Sequence, residues 1–200
     1  MVAYIFQKIA KMNSTSAIKS SDEAEARKWY RDQAAEIKRV NTASLMKSKK
    51  NAQRINSTID PKAIGSMFLF FYDPKTKDEL PYWDTVPLVI PIEFYRDGFL
   101  GLNLHYLPPL LRAKMMDELY NTINNDKLDV TTKLRLNYSI VKRISKYYKP
   151  CVKRYLFNHV RSGFFYVLPN EWDMAIMLPL ERFEGARKST VFRNSVEETE

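Results

Sequence analysis

Cysteine occurs once in this 200-residue chain, at Cys151, glycine five times and histidine twice. A single cysteine excludes an intramolecular disulfide and a cysteine-rich zinc site, and it suits a reducing compartment. Scarce glycine argues against a glycine-rich loop that cradles phosphate. No apolar run approaches the length of a membrane-spanning helix and no cleavable signal is evident. The chain therefore reads as soluble, acting where it is made or built into something larger. The most specific absence is local. Residues 131–162 hold nine Lys and Arg and not one carboxylate.

What is present supports a packed core, since 45% of the residues are apolar and 13% aromatic. The net charge is +9, and the carboxylate-free segment concentrates it. Lys133, Arg135, Lys142, Arg143, Lys146, Lys149, Lys153, Arg154 and Arg161 read as two adjacent helices interleaved with Tyr138, Tyr147, Tyr148 and Tyr155. Such a surface fits a polyanion or the acidic face of another protein. Nucleic acid would use these cations for phosphates, with salt-sensitive binding. Arginine with tyrosine is also an interface composition. No base-reading motif accompanies the segment, so protein contact is weighed slightly ahead of DNA.

The strongest local pattern is Leu88–Tyr106, read as one hydrophobic hairpin. Arg96-Asp97-Gly98 predicts a three-residue turn with glycine at the position needing φ > 0. Tyr95 then lies opposite Phe99, and Phe94/Leu100, Ile92/Leu102, Ile90/Leu104 and Leu88/Tyr106 share one face. Before it, Ser66–Tyr72 is an aromatic strand and residues 73–81 a charged loop returning at Tyr82-Trp83. After it, Leu111, Met115, Leu119 and Ile123 predict a helix that starts near Pro109. Leu134, Tyr138, Val141 and Ile144 predict a second helix, and Val152–Val160 a third, ending at Gly163. Phe164–Leu168 is a late strand, and Trp172–Met177 a short helix.

At the N-terminus, Val2, Ile5, Phe6 and Ile9 form an apolar stripe too short to hold as a helix alone, so it must dock on something. A second helix follows from Ser20/Ser21 to about Val40, then a polar, basic linker over 41–62. The expected fold is α+β: a small SH3-like β-barrel or sheet core with a helical subdomain and an N-terminal helical arm. The expected division is arm and linker 1–62, globular domain 63–184 and polar tail 185–200, the tail fraying or binding a neighbour.

Catalytic constellations are weak. Asp73, Asp78, Glu79 and Asp84 are read as a solvated loop with interleaved lysines rather than a metal site. His105 is read as a packed or interface histidine and Cys151 as a small buried residue. On one helix, Cys151 and His159 would stand about two turns apart, too far to act as a pair. No enzyme activity, metal or cofactor is expected.

The strings YDPKTKDELPYWDTVPLVIP (72–91), DGFLGLNLHYLPP (97–109), TTKLRLNYSI (131–140), KPCVKRYL (149–156) and LPLERF (178–183) resemble a family of virion proteins of T4-like contractile-tailed bacteriophages. The resemblance spans about residues 64–192, and the opening MVAYIFQKIA resembles long members. It implies a non-enzymatic particle component, made in the bacterial host cytoplasm, present in several copies and contacting other tail, baseplate or neck proteins. Such families include baseplate or tail components and DNA-end protectors. The expectation is an assembly protein of the tail or baseplate, docking neighbours through its arm and basic helices. The alternative is a DNA-binding virion protein that protects or holds the packaged DNA end.

Overall fold

In the computed structural model, which describes residues 52–123, 141–142 and 145–199, a two-residue turn, Arg96-Asp97, joins strands β4 (Leu88–Tyr95) and β5 (Gly98–Asn103). The pairs are Tyr95/Gly98, Phe94/Phe99 and Glu93/Leu100, then Pro91/Gly101, Ile90/Leu102 and Val89/Asn103. The hairpin exists where expected, but its turn is one residue shorter and its register differs. Gly98 is not there for a left-handed turn; the positive-φ glycines among the described residues are Gly65 and Gly185. A Cβ on Gly98 would sit 1.9 Å from the Tyr155 carbonyl oxygen, so glycine is needed because another strand runs against it.

The register shifts between Pro91 and Glu93, and the bulge changes which side chains share a face. Leu88, Ile90 and Ile92 enter one core with Leu102 and Leu104. Phe94 instead packs against the second core, with Phe99 and Val89. Both faces of the hairpin are therefore buried. Leu104–Tyr106, expected as strand, is a single 3-10 turn capped by Asn103, whose side-chain oxygen accepts from the His105 N–H.

Around the hairpin, β1 (Ile55–Asn56), β2 (Met67–Leu69), β6 (Val152–Leu156) and β7 (Phe164–Val167) complete an antiparallel sheet in the order β1-β7-β2-β4-β5-β6. Two short strands, β3 (Trp83–Asp84) and β8 (Phe183–Glu184), pair beside it. One face is covered by α1 (Pro109–Ile123), through Met115, Met116 and Leu119, and by Trp172 of α3 (Trp172–Ala175). The other face is largely aromatic: Phe68, Phe70, Tyr72, Phe99, Tyr155 and Phe164. Tyr155 reaches Tyr72 at 4.9 Å and Phe164 reaches Phe99 at 6.1 Å between ring centroids, so the sheet curls around its own rings. It does not close, because β1 and β6 remain separate edges. The fold is mixed α and β with a curled antiparallel sheet in place of the expected SH3-like barrel.

Three further elements depart from expectation. Val152–Leu156 is a strand rather than a helix. The helix α2 (Ser145–Cys151) contains Pro150 in its last turn, and the free edge of β5 then offers a five-residue ladder from Gly98/Leu156 to Leu102/Val152. Residues 188–199, expected within a polar tail, form α4 (Lys188–Thr199), which buries Val191 and packs on α2 and on the Leu104–Tyr106 turn. The sheet also starts at Ile55, ahead of the expected domain boundary. The arm stripe Val2, Ile5, Phe6 and Ile9, the helix over 20–40 and the predicted helix around Leu134–Tyr138 lie outside the described residues. Among the described residues no helix is long and apolar enough to cross a membrane.

Candidate nucleic-acid interface and the buried charge network

The cations that the structure describes do not all face solvent. Lys133, Arg135 and Arg143 lie outside the described residues, and Lys146 is placed only as part of α2. Lys142 and Lys149 are exposed. Arg154, on the edge strand β6, stacks its guanidinium 4.2 Å from the Tyr95 ring centroid and pairs with Asp97. Arg161 pairs with Asp73 at 3.2 Å, and Lys77 holds the same carboxylate. Those two hydrogen bonds, Lys77 first, hold the Asp73 carboxyl below its usual range.

Lys153 is the exception. Its ammonium lies 4.1 Å from the Tyr106 ring centroid, and burial lowers its pKa. Alternation along a strand turns Arg154 to solvent and Lys153 inward, which a helical reading of 152–160 could not separate.

The predicted acidic loop does not gather either. Asp73 serves Lys77 and Arg161, whereas Asp84 turns into the protein and is almost fully buried. This corrects the solvated-loop reading for Asp84. Its Oδ1 accepts from the Val86 N–H at 3.0 Å and the Arg182 N–H at 3.3 Å. Its Oδ2 accepts from the Asn103 amide at 3.2 Å and lies 2.9 Å from His105 Nδ1. Asp84 thus ties β3, β5 and the approach to β8 together. Among the described residues, no three His, Cys, Asp or Glu side chains are grouped to hold a metal ion.

A second buried cluster has only a faint signal in the sequence. Arg112, fully buried on α1, donates from Nε to Leu107 O at 2.7 Å and from Nη1 to Ile176 O at 3.0 Å. Its Nη2 lies 3.2 Å from Glu181 Oε2, and Lys188 holds Glu181 Oε1 at 2.6 Å. Burial pushes the Glu181 carboxyl upward, but Arg112, His105 and Lys188 outweigh it and bring it down to about 2. The signal for Arg112 was its spacing: it stands four residues before Met116, on the buried side of α1.

His105 Nε2 and Ser195 Oγ are buried and have no hydrogen-bond partner, so no hydrogen bond joins them. An aspartate, a histidine and a serine are the parts of a nucleophilic triad, yet His105 and Ser195 are sealed from solvent and uncoupled. The network holds elements together and offers no reacting surface. His159, the other histidine, has Nδ1 2.9 Å from Asp73 O, and Cys151 ends α2 with its thiol pushed up to about 12 by burial. Strand β6 separates the two in the chain, which replaces the single-helix reading.

No curated protein and no solved structure matches this chain. A family model described as phage T4 terminal DNA protecting protein matches residues 6–197, nearly the whole sequence. The resemblance to T4-like phage proteins thus resolves toward a DNA-end protector, and the chain belongs to the phage T4 terminal DNA protecting protein family.

Proposed function

We propose that this chain binds the end of packaged duplex DNA in a T4-like phage particle and shields it from exonucleases. The observation that carries the reading is the family match over residues 6–197, and it favours DNA over a tail or baseplate role. The carboxylate-free segment 131–162 supports it chemically. Lys142, Lys149, Arg154 and Arg161 present cations to solvent, and two of them rest on exposed carboxylates. Surface ion pairs of that kind are worth about 0–1 kcal/mol, so a phosphate displaces them at little cost. Binding through such contacts is independent of sequence, which suits a protein that must hold whatever end it meets. The work is done by occupancy, not by a reaction.

The test is exonuclease digestion of linear duplex with and without protein, alongside filter binding across salt. Neutralising Lys142, Lys149, Arg154 and Arg161 together is expected to weaken binding and to lower the salt slope by about 0.9 per lost phosphate contact. Lys153 is left intact, because its ammonium packs inside. Ends degraded equally fast with and without the protein would overturn the reading.

A further inference from the structure

DNA ends differ from the interior of a duplex in two ways. They carry a terminal phosphate monoester with more charge than a phosphodiester, and they expose one face of the last base. One cavity in this fold matches both. It lies between β8 and the start of α4, measures about 740 Å³, and its lining includes Glu181, Arg182, Phe183, Arg187 and Lys188. The cavity is shallow and open to solvent, so it would contact a terminal nucleotide along one side rather than enclose it.

Resting on the DNA-end reading, we propose that this cavity receives the terminal nucleotide of the duplex. Arg182, Arg187 and Lys188 meet its 5′-phosphate, and Phe183 meets its base.

The charge balance favours an anion. Three cations line the cavity against one carboxylate, and that carboxylate is already held by Lys188 and by the buried Arg112. The start of α4 is also built against its own stability. The Arg187 carbonyl accepts the first helical bonds, from Thr190 and Val191, so arginine occupies the N-cap position. That position favours Ser, Thr, Asp or Asn, whose side-chain oxygen satisfies the free N–H groups, and arginine has no acceptor to offer. The first turn of α4 has no acidic residue, whereas Glu197 and Glu198 stand near its other end. This is the reverse of what the helix dipole favours, and an exogenous phosphate at the first turn would correct it.

The aromatic wall is fixed in place. Phe183 is half-buried and packs edge-on to Tyr106 at 5.3 Å, Tyr82 at 6.4 Å and Phe192 at 6.5 Å. The turn that shapes the cavity is equally constrained. Gly185 has φ +84°, and a Cβ there would lie 2.6 Å from Pro81 O. The cavity is therefore preformed, which lowers the ordering cost of binding.

The experiment uses the full chain and short blunt duplexes bearing either a 5′-phosphate or a 5′-hydroxyl, with a hairpin-closed duplex as the endless control. The wild type is expected to prefer the 5′-phosphate end by about tenfold, the scale of a charge-assisted contact. Arg182→Ala/Arg187→Ala, which alters two exposed side chains, is expected to lose that preference and still bind the closed duplex. A terminal 2-aminopurine is expected to be quenched on binding. Equal binding to both ends by the wild type, or a preference retained by the variant, would overturn the proposal while exonuclease protection left the DNA reading standing. Failure to bind any duplex would overturn both.

Discussion

Replacing Arg112 by methionine keeps an unbranched apolar stem and removes the guanidinium with its charge and donors. In the native protein the guanidinium makes two close bonds to carbonyls, at 2.7 Å to Leu107 and 3.0 Å to Ile176, and approaches Glu181 at 3.2 Å. A hydrogen bond involving a charged group contributes roughly 1.5–3 kcal/mol. Removing one partner of a buried ion pair costs roughly 3–5 kcal/mol when the other charge is left uncompensated, and here Lys188 still holds one oxygen of Glu181 and moderates the loss. These contributions overlap, and the methionine stem recovers some packing, so Arg112→Met is expected to lose about 3–5 kcal/mol in urea unfolding at neutral pH. Glu181→Gln in the same background should restore part of the loss, since the carboxylate that Lys188 alone would have to compensate is gone. The acid limb gives a second readout. Glu181 sits at about 2 in the folded protein against an ordinary 4.5. Its ionised form therefore contributes stability above pH 4.5 that drains away as pH falls through 2, by about 3 kcal/mol for a shift of that size. Without Arg112 the upward push of burial is less opposed, and this acid-side loss should shrink. A loss below about 1 kcal/mol, or single substitutions that simply add, would refute the argument.

Gly98→Ala would place a methyl group 1.9 Å from the Tyr155 carbonyl oxygen, a backbone atom that can yield only if β6 moves. Overpacking of this kind costs roughly 1–3 kcal/mol, and hydrogen exchange should quicken selectively in β6. Unchanged protection along Val152–Leu156 would show that the two strands are not in close contact. Cys151 is fully buried, with its thiol pushed up to about 12. A thiol reagent at pH 8 should leave it untouched in the native protein and label it promptly in urea; fast native labelling would contradict the packing of α2.

Elements whose signal lies within a few residues are legible in the sequence. The stripe Leu111, Met115, Leu119 yields α1, the run Phe164–Val167 yields β7, and the apolar flanks of Arg96-Asp97 yield a hairpin. The distinctive GFLGLNLHYLPP string also carried the resemblance to T4-like phage virion proteins, while the DNA-protecting family came from the match over residues 6–197. What depends on distant partners emerges only on folding. Val152, Tyr155 and Leu156 repeat at helical spacing, yet they form a strand because the edge of β5 lies open beside them. The bulge at Ile92 sends Phe94 to the opposite core from Ile90. Asp84, Arg112 and Glu181 look like surface residues in the sequence, and burying each is tolerable only because its partner arrives from another element. The same holds at the cavity: Arg182 and Arg187 were unremarkable until β8 and α4 brought them around one space. Periodicity reports which face of an element is apolar. Which charges are compensated, which edges are filled and which cations converge are set by long-range contacts, and those exist only once the chain has folded.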